Sequence, residues 1–151
     1  MIFVDTSFLV GLLLTNDMNN SRANELINVI DGENLIINNA VLTETINFLS
    51  KCKKINQGHV IKDLIDIIIN SCNIHFLSSN EYYTAIDLYL HFNGAINYSD
   101  CTILKSMESL GINKIVSFDS GFDLVSGISR IFYIPRNLIY FWMKFFIIIG
   151  F

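Results

Sequence analysis

The chain has 151 residues, 52% of them hydrophobic, with 10 basic and 14 acidic side chains and a formal charge of −4. That length suits one domain able to bury ~70% of its unfolded surface, and a single Pro with 8 Gly leaves no room for a long disordered linker. The acidic balance argues against broad non-specific nucleic-acid binding, although an enzyme that holds cations would itself need an acidic site.

The opening MIFVDTS predicts a strand over Ile2–Asp5 that ends on a carboxylate, and it has neither the basic leader nor the cleavage site of a signal peptide. Asn20 to Ile30 sets Ala23, Leu26, Ile27 and Ile30 at helical spacing. Leu35–Asn38 reads as a second strand. The helix over Val41–Lys51 turns Val41, Thr45, Ile46 and Leu49 inward, and Val60–Ile69 is dense enough in Ile, Leu and Val for a buried helix. Ile74–Leu77 is a third strand. Ser79 is placed to cap the helix carrying Ala85, Ile86, Leu88 and Tyr89, with Glu81 in its first turn. Tyr98 or Ser99 opens a helix with Ile103, Leu104, Met107 and Leu110 inward, stopped by Gly111. Lys114–Phe118 and Ile131–Ile134 complete the strands. Short apolar runs alternating with longer periodic stretches predict an α/β fold on a mostly parallel sheet.

Asn137 to Phe151 reads NLIYFWMKFFIIIGF. Fifteen helical residues span only ~22 Å, short of the ~30 Å hydrocarbon core. Packing on the domain is the favoured reading of 137–151, with a dimer contact next and a membrane contact as a minor alternative. Cys52, Cys72 and Cys101 form no paired motif, which predicts reduced thiols in a cytoplasmic protein.

Four carboxylates fall at element ends: Asp5 after the first strand, Glu44 early in the helix after the second, Asp100 opening the helix before the fourth, and Asp119 just after that strand. In open parallel sheets, sites form at the carboxyl ends of the strands. Several carboxylates meeting there repel one another unless a cation holds them. Hard ions such as Mg²⁺ or Mn²⁺ want oxygen ligands, lower the pKa of a bound water and offset charge on a phosphodiester. Each residue alone has a plainer role: Asp5 and Asp100 as helix caps, Glu44 as a solvated charge, Asp119 and Asp123 as turn residues. Together they favour metal chemistry. Lys51, Lys53 and Lys54 form the one basic cluster, suited to steering an RNA backbone or to ending a solvated helix. His59, His75 and His91 show no zinc spacing.

These residues resemble the PIN domain family, and within it the VapC-type toxin ribonucleases. The resemblance rests on MIFVDTS, on Glu44 in AVLTETINFL, on Asp100 in YSDCTILKSMESLG and on SFDSGFD, in order over about Met1 to Arg136. It implies a three-layer α/β/α sandwich around a mostly parallel sheet of four to five strands, with a nuclease domain over 1–136 and an apolar extension over 137–151. Asp5, Glu44, Asp100 and Asp119 take the catalytic, metal-binding positions for Mg²⁺ or Mn²⁺. Thr6 and Ser117 would orient them, and Asp123 stands as an outer-shell group without a firm counterpart. The implied activity is endonucleolytic RNA cleavage by metal-activated water, leaving a 5′-phosphate and a 3′-hydroxyl. The implied assembly is a homodimer bound by a small antitoxin that blocks the acidic groove. A housekeeping RNA-processing nuclease without an antitoxin, or a catalytically silent binding module, are the alternatives. The apolar tail has no family counterpart, and Lys105, Ser106 and Glu108 stand where the family usually has small residues.

Overall fold

The computed structural model describes residues 1–52 and 58–133. The expectations for Lys53, Lys54, Ile134 and 137–151 lie outside them. The order is β1 (Ile2–Val4), α1 (Thr6–Leu13), α2 (Asn20–Val29), β2 (Leu35–Asn38), α3 (Asn39–Lys51), α4 (Gly58–Ser71), β3 (Asn73–His75), α5 (Ser79–His91), α6 (Tyr98–Leu110), β4 (Lys114–Val116), a 3₁₀ turn (Ser120–Leu124) and β5 (Ser129–Ile131). The five strands lie in the order β3-β2-β1-β4-β5, and every pairing is parallel. Six helices flank this sheet in an α/β/α sandwich.

Parallel strands must be covered on both faces, so they read as continuous apolar runs rather than alternating ones. β1 obeys this, with Ile2, Phe3 and Val4 all buried at the centre of the sheet. From β1 the chain winds outward through β2 to β3, then returns to the other side of β1 as β4. The winding therefore reverses between β1 and β4, and a crevice opens beyond their carboxyl ends at such a reversal. Asp5 and Asp119 follow those two strands.

The helices around the crevice are tightly seated. α1 packs on α2 and α3, and a Cβ at Gly11 would sit 3.2 Å from the Phe118 ring and 3.3 Å from Asn19. Only glycine lets α1 approach the residues after β4 so closely. α6 buries Asp100, Cys101, Thr102, Ile103, Leu104, Ser106 and Met107, and it stops at Gly111 in the left-handed conformation, φ 65°. The 3₁₀ turn is pinned by the fully buried Phe122, a burial that contributes ~1.5–3 kcal/mol. Among the described residues no helix is long and apolar enough to cross a membrane.

Most boundaries shift by one or two residues from the sequence reading, β1 and β4 ending at Val4 and Val116 rather than at Asp5 and Phe118, and three of the differences have a clear local cause. β3 is Asn73–His75, not Ile74–Leu77, because the Leu77 N–H leaves the ladder for Asn39 Oδ1 at 2.9 Å. Ser78, not Ser79, caps α5: its Oγ accepts the Glu81 N–H at 3.2 Å while Glu81 reaches back to the Ser78 N–H at 2.7 Å, a reciprocal capping box. β5 begins at Ser129, where the Ser129 N–H meets Asn113 O at 2.7 Å. It starts earlier than expected because this main-chain pairing, rather than apolar content, sets the start of an edge strand.

Candidate functional site

Asp5 is 4% exposed, yet its carboxylate is well supplied with donors. Its Oδ2 accepts the Ser7 Oγ–H at 2.5 Å, the Ser117 Oγ–H at 2.7 Å and the Ser7 N–H at 3.2 Å. Burial raises its pKa and these hydrogen bonds pull it back down, with a net rise. Ser7 is also an acceptor, its Oγ taking the Phe118 N–H at 2.9 Å. Ser117 Oγ in turn accepts the Asp119 N–H at 2.9 Å. Two serines thus bind the end of β1 to the segment after β4, and they fix Asp5 relative to Asp119. The Asp119 carboxylate caps the 3₁₀ turn, taking the Gly121 N–H on Oδ1 at 2.7 Å.

Glu44 arrives from α3. Its Oε2 accepts the Thr6 Oγ–H at 3.1 Å and the Ser99 Oγ–H at 2.8 Å, joining the starts of α1 and α6. Asn38 sets the approach of the two longer helices. Its Oδ1 caps α3 through the Val41 N–H at 2.9 Å, and its Nδ2 donates to Ser106 Oγ of α6 at 3.1 Å. Ser106, at a position where the resemblance expected a departure, is therefore a buried partner holding α6 beside α3.

Asp100 is the fourth member and the exception. It is 6% exposed, and its carboxylate accepts no hydrogen bond among the described residues. Burial, then the charges of Asp5, Asp119 and Glu44, push its pKa up to about 8. Those three neighbours locate the cluster: Asp100 senses each of the other expected carboxylates. The adjacent Cys101 thiol is pushed up to about 11, by burial first and by Asp100 second, so it is no nucleophile at neutral pH.

Among the described residues, no three carboxylate, imidazole or thiol side chains are already gathered closely enough to hold one ion. Hydroxyl donors from Ser7 and Ser117 converge on Oδ2 of Asp5, and those from Thr6 and Ser99 on Oε2 of Glu44. The donor set nevertheless suits a hard divalent cation: every candidate ligand is a carboxylate oxygen, and Asp100 is a buried acid with no donor of its own.

Beside the cluster runs a groove of about 470 Å³ lined by Thr43, Glu44, Asn47, Phe48, Lys51 and Ser99. Lys51 is thus the one member of the expected basic cluster that can be placed. Asp123 points elsewhere, paired with Arg130 through Nε at 2.8 Å and NH2 at 2.5 Å, which lowers its pKa. Ser7, Ser99 and Asn38 are the contributors that sequence reasoning did not assign to the site. The only trace of the first was a hydroxyl pair directly after Asp5.

The sequence profile of the family described as PIN domain matches residues 2–128. A search of curated protein sequences finds no match. Among solved structures, the chain is similar to VapC20 of Mycobacterium tuberculosis, a toxin that cleaves the sarcin–ricin loop, with a TM-score of 0.72 at 20% identity over 83% of this chain and 95% of that one. VapBC2 from Rickettsia felis, solved with a DNA fragment from its promoter, gives 0.66 at 16% identity over 87% and 98%. DNA-bound VapBC from Salmonella typhimurium gives 0.62 at 14% identity over 87% and 98%. At these identities the likeness is one of fold.

Proposed function

The chain belongs to the PIN domain family, and on that basis we propose that it is a divalent-metal-dependent endoribonuclease acting as the toxin of a toxin–antitoxin pair. One observation carries the reading: Asp100 is a largely buried acid that accepts no hydrogen bond among the described residues and is faced by three more carboxylates at the reversal of the sheet. A site made for structure alone has no reason to keep charges that repel one another.

Asp5, Glu44, Asp100 and Asp119 would hold one or two Mg²⁺ or Mn²⁺ ions. When bound, such an ion lowers the pKa of a water and offsets the charge that builds on a phosphodiester. The chain's own residues do the positioning. Ser7 and Ser117 present Asp5 in one orientation, and Thr6 and Ser99 do the same for Glu44. Holding each carboxylate through one oxygen, Oδ2 of Asp5 and Oε2 of Glu44, would keep ligand geometry fixed before anything binds. The product ends expected are a 5′-phosphate and a 3′-hydroxyl.

An antitoxin partner is supported by the fold neighbours from Rickettsia felis and Salmonella typhimurium, both solved as VapBC assemblies. A homodimer finds support in α5, which leaves Tyr82, Tyr83, Ile86 and Leu90 exposed. Cytoplasmic action fits the free thiols of Cys52, Cys72 and Cys101.

The decisive experiment is cleavage of total cellular RNA with Mg²⁺ or Mn²⁺, run beside EDTA and Asp100→Asn. Discrete new fragments that need both the metal and Asp100 are expected. Fragments that persist in EDTA, or that Asp100→Asn still produces, would overturn the reading.

A further inference from the structure

The groove on α3 has a composition that the four carboxylates do not explain. Glu44 and Phe48 stand one turn apart on one line of the helix, and Thr43, Asn47 and Lys51 repeat at the same interval on the adjacent line. Along the axis, Phe48 lies ~6 Å and Lys51 ~10 Å from the Glu44 end. The wall therefore runs from an acid at the cluster, through an amide and a phenyl ring, to a cation. Phe48 is 45% exposed, so its ring is open to a partner in the groove. Lys51 has no ion-pair partner among the described residues, whereas Lys62 and Lys105 both have one. The volume, about 470 Å³, falls within the ~300–1,000 Å³ of small-ligand sites.

We infer that this groove seats one unstacked nucleotide of a single-stranded RNA, beside the phosphate presented to the carboxylates. The inference rests on the ribonuclease reading and adds the residues of this chain, Phe48 and Lys51, that would seat the strand beside the carboxylates. The chemistry assigns each part. The Phe48 ring offers a stacking face to a base, a contact every base can make but only when it is out of a duplex. Lys51 meets the next phosphate along the strand, away from the acidic end that would repel it. Asn47 and Thr43 lie between them, with donors and acceptors for a base edge or a 2′-hydroxyl. A protein segment would also cover Phe48, but an apolar one has no need of a cation one turn beyond the ring.

Binding separates this inference from the reaction. Fluorescein-labelled hexanucleotides of uridine or adenosine are titrated by anisotropy against Asp100→Asn protein, which holds the strand uncut, with a duplex RNA alongside. Phe48→Ala in that background should weaken single-strand binding by about tenfold, within the range measured for base–aromatic stacking, and leave any duplex binding unchanged. Phe48→Tyr should restore it and Phe48→Leu should not, which distinguishes stacking from filled volume. Lys51→Ala should weaken binding and reduce the salt slope by about one ion. Lys62→Ala, on α4, should do neither.

Single-strand affinity that ignores both Phe48→Ala and Lys51→Ala would overturn the inference and assign the groove to a protein segment. Absence of any single-strand binding would overturn it as well. Phe48-dependent binding by a protein whose parent cleaves no RNA would leave the groove standing and remove the nuclease reading. Normal cleavage with Phe48-independent binding would do the reverse.

Discussion

Asp100 and Glu81 are both acids, both 6% exposed, and they have opposite surroundings. Burial would raise the Glu81 pKa, but hydrogen bonds outweigh it and draw the carboxyl down to about 2. Its Oε2 takes the Ser78 Oγ–H and N–H, each at 2.7 Å, while its Oε1 takes the Ser109 Oγ–H at 2.7 Å and lies 2.7 Å from His75 Nε2. One carboxylate therefore ties β3 and the start of α5 to α6. Asp100 has no such partners and three negative neighbours, and it is pushed up to about 8. A buried acid that serves the fold has its charge satisfied from within. One whose oxygens meet no donor among the described residues is a candidate to take a ligand from outside.

The largest test of that contrast is Asp100→Asn. Cleavage should fall about a thousandfold, equivalent to ~4 kcal/mol of transition-state stabilisation. The metal-free protein should nevertheless become more stable toward and above about pH 8, where Asp100 would carry a buried charge that asparagine lacks. The same logic fixes a pH dependence. A carboxyl whose folded pKa is raised holds its proton in the native state after the unfolded chain has released it. Its contribution is complete below the unfolded value of 3.8 and is lost as pH rises through about 8. Without divalent ions, the Tm should therefore fall between about pH 5 and about pH 8, and Mg²⁺ or Mn²⁺ should restore it most at the upper end. Melting curves of the parent and Asp100→Asn with and without Mn²⁺ check all of this. A flat parent profile, or one that the asparagine variant shares, would count against an unsatisfied Asp100.

Glu81→Gln comes next and should act in the opposite sense. Replacing the charged acceptor of four contacts should destabilise the fold by about 2–3 kcal/mol. The lowered pKa places the Glu81 contribution above the unfolded value of 4.5 and removes it as pH falls toward about 2. The parent should thus lose stability in acid through this group, and the variant should lose correspondingly less. Its response to Mn²⁺ should match the parent's. A variant with parental Tm at neutral pH would show that the Glu81 network contributes little.

Ser7→Ala tests how the hydrogen-bonded part of the acidic cluster serves the part without donors. It removes a donor to Asp5 and the acceptor for the Phe118 N–H. Metal affinity should drop about 10–100-fold, the usual effect of losing a residue that orients a ligand. Titration of Mn²⁺ monitored by Tm reads this directly, and an unchanged affinity would reduce Ser7 to a helix-start residue.

Much of this contrast was legible in the chain. The four carboxylates stand out because they fall at the ends of strands and helices, and the alternating pattern predicts parallel pairing, although it leaves the order of the strands open. The serines were harder to see. Ser7 and Ser117 are separated by 110 positions, and a hydroxyl carries no periodic or compositional signal that it faces a distant acid. Asn38 was hidden for a related reason, since its capping and cross-helix bonds arise only after α3 and α6 are side by side. The strand ends failed where a side chain captured a main-chain group, as Asn39 does with Leu77.

Asp123 gives the smallest effect and the sharpest boundary. Sequence proximity to Asp119 suggested an outer place in the metal site, but its two oxygens face Arg130. Arg130 is the more constrained of the two, with its side chain 7% exposed, a donor bond to Ser117 O at 3.4 Å and its guanidinium 3.9 Å from the centre of the Phe132 ring. Removing the Asp123 charge leaves those two contacts in place, so Asp123→Asn should change cleavage and Mn²⁺ affinity by less than about twofold, as expected of a half-exposed carboxylate turned away from the cluster. Arg130→Met should do more, because it frees the Ser117 carbonyl and loosens the segment that aims Asp119. If Asp123→Asn instead lowered Mn²⁺ affinity as far as Ser7→Ala does, the carboxylate must leave Arg130 when the ion binds. The acidic cluster would then have five members rather than four.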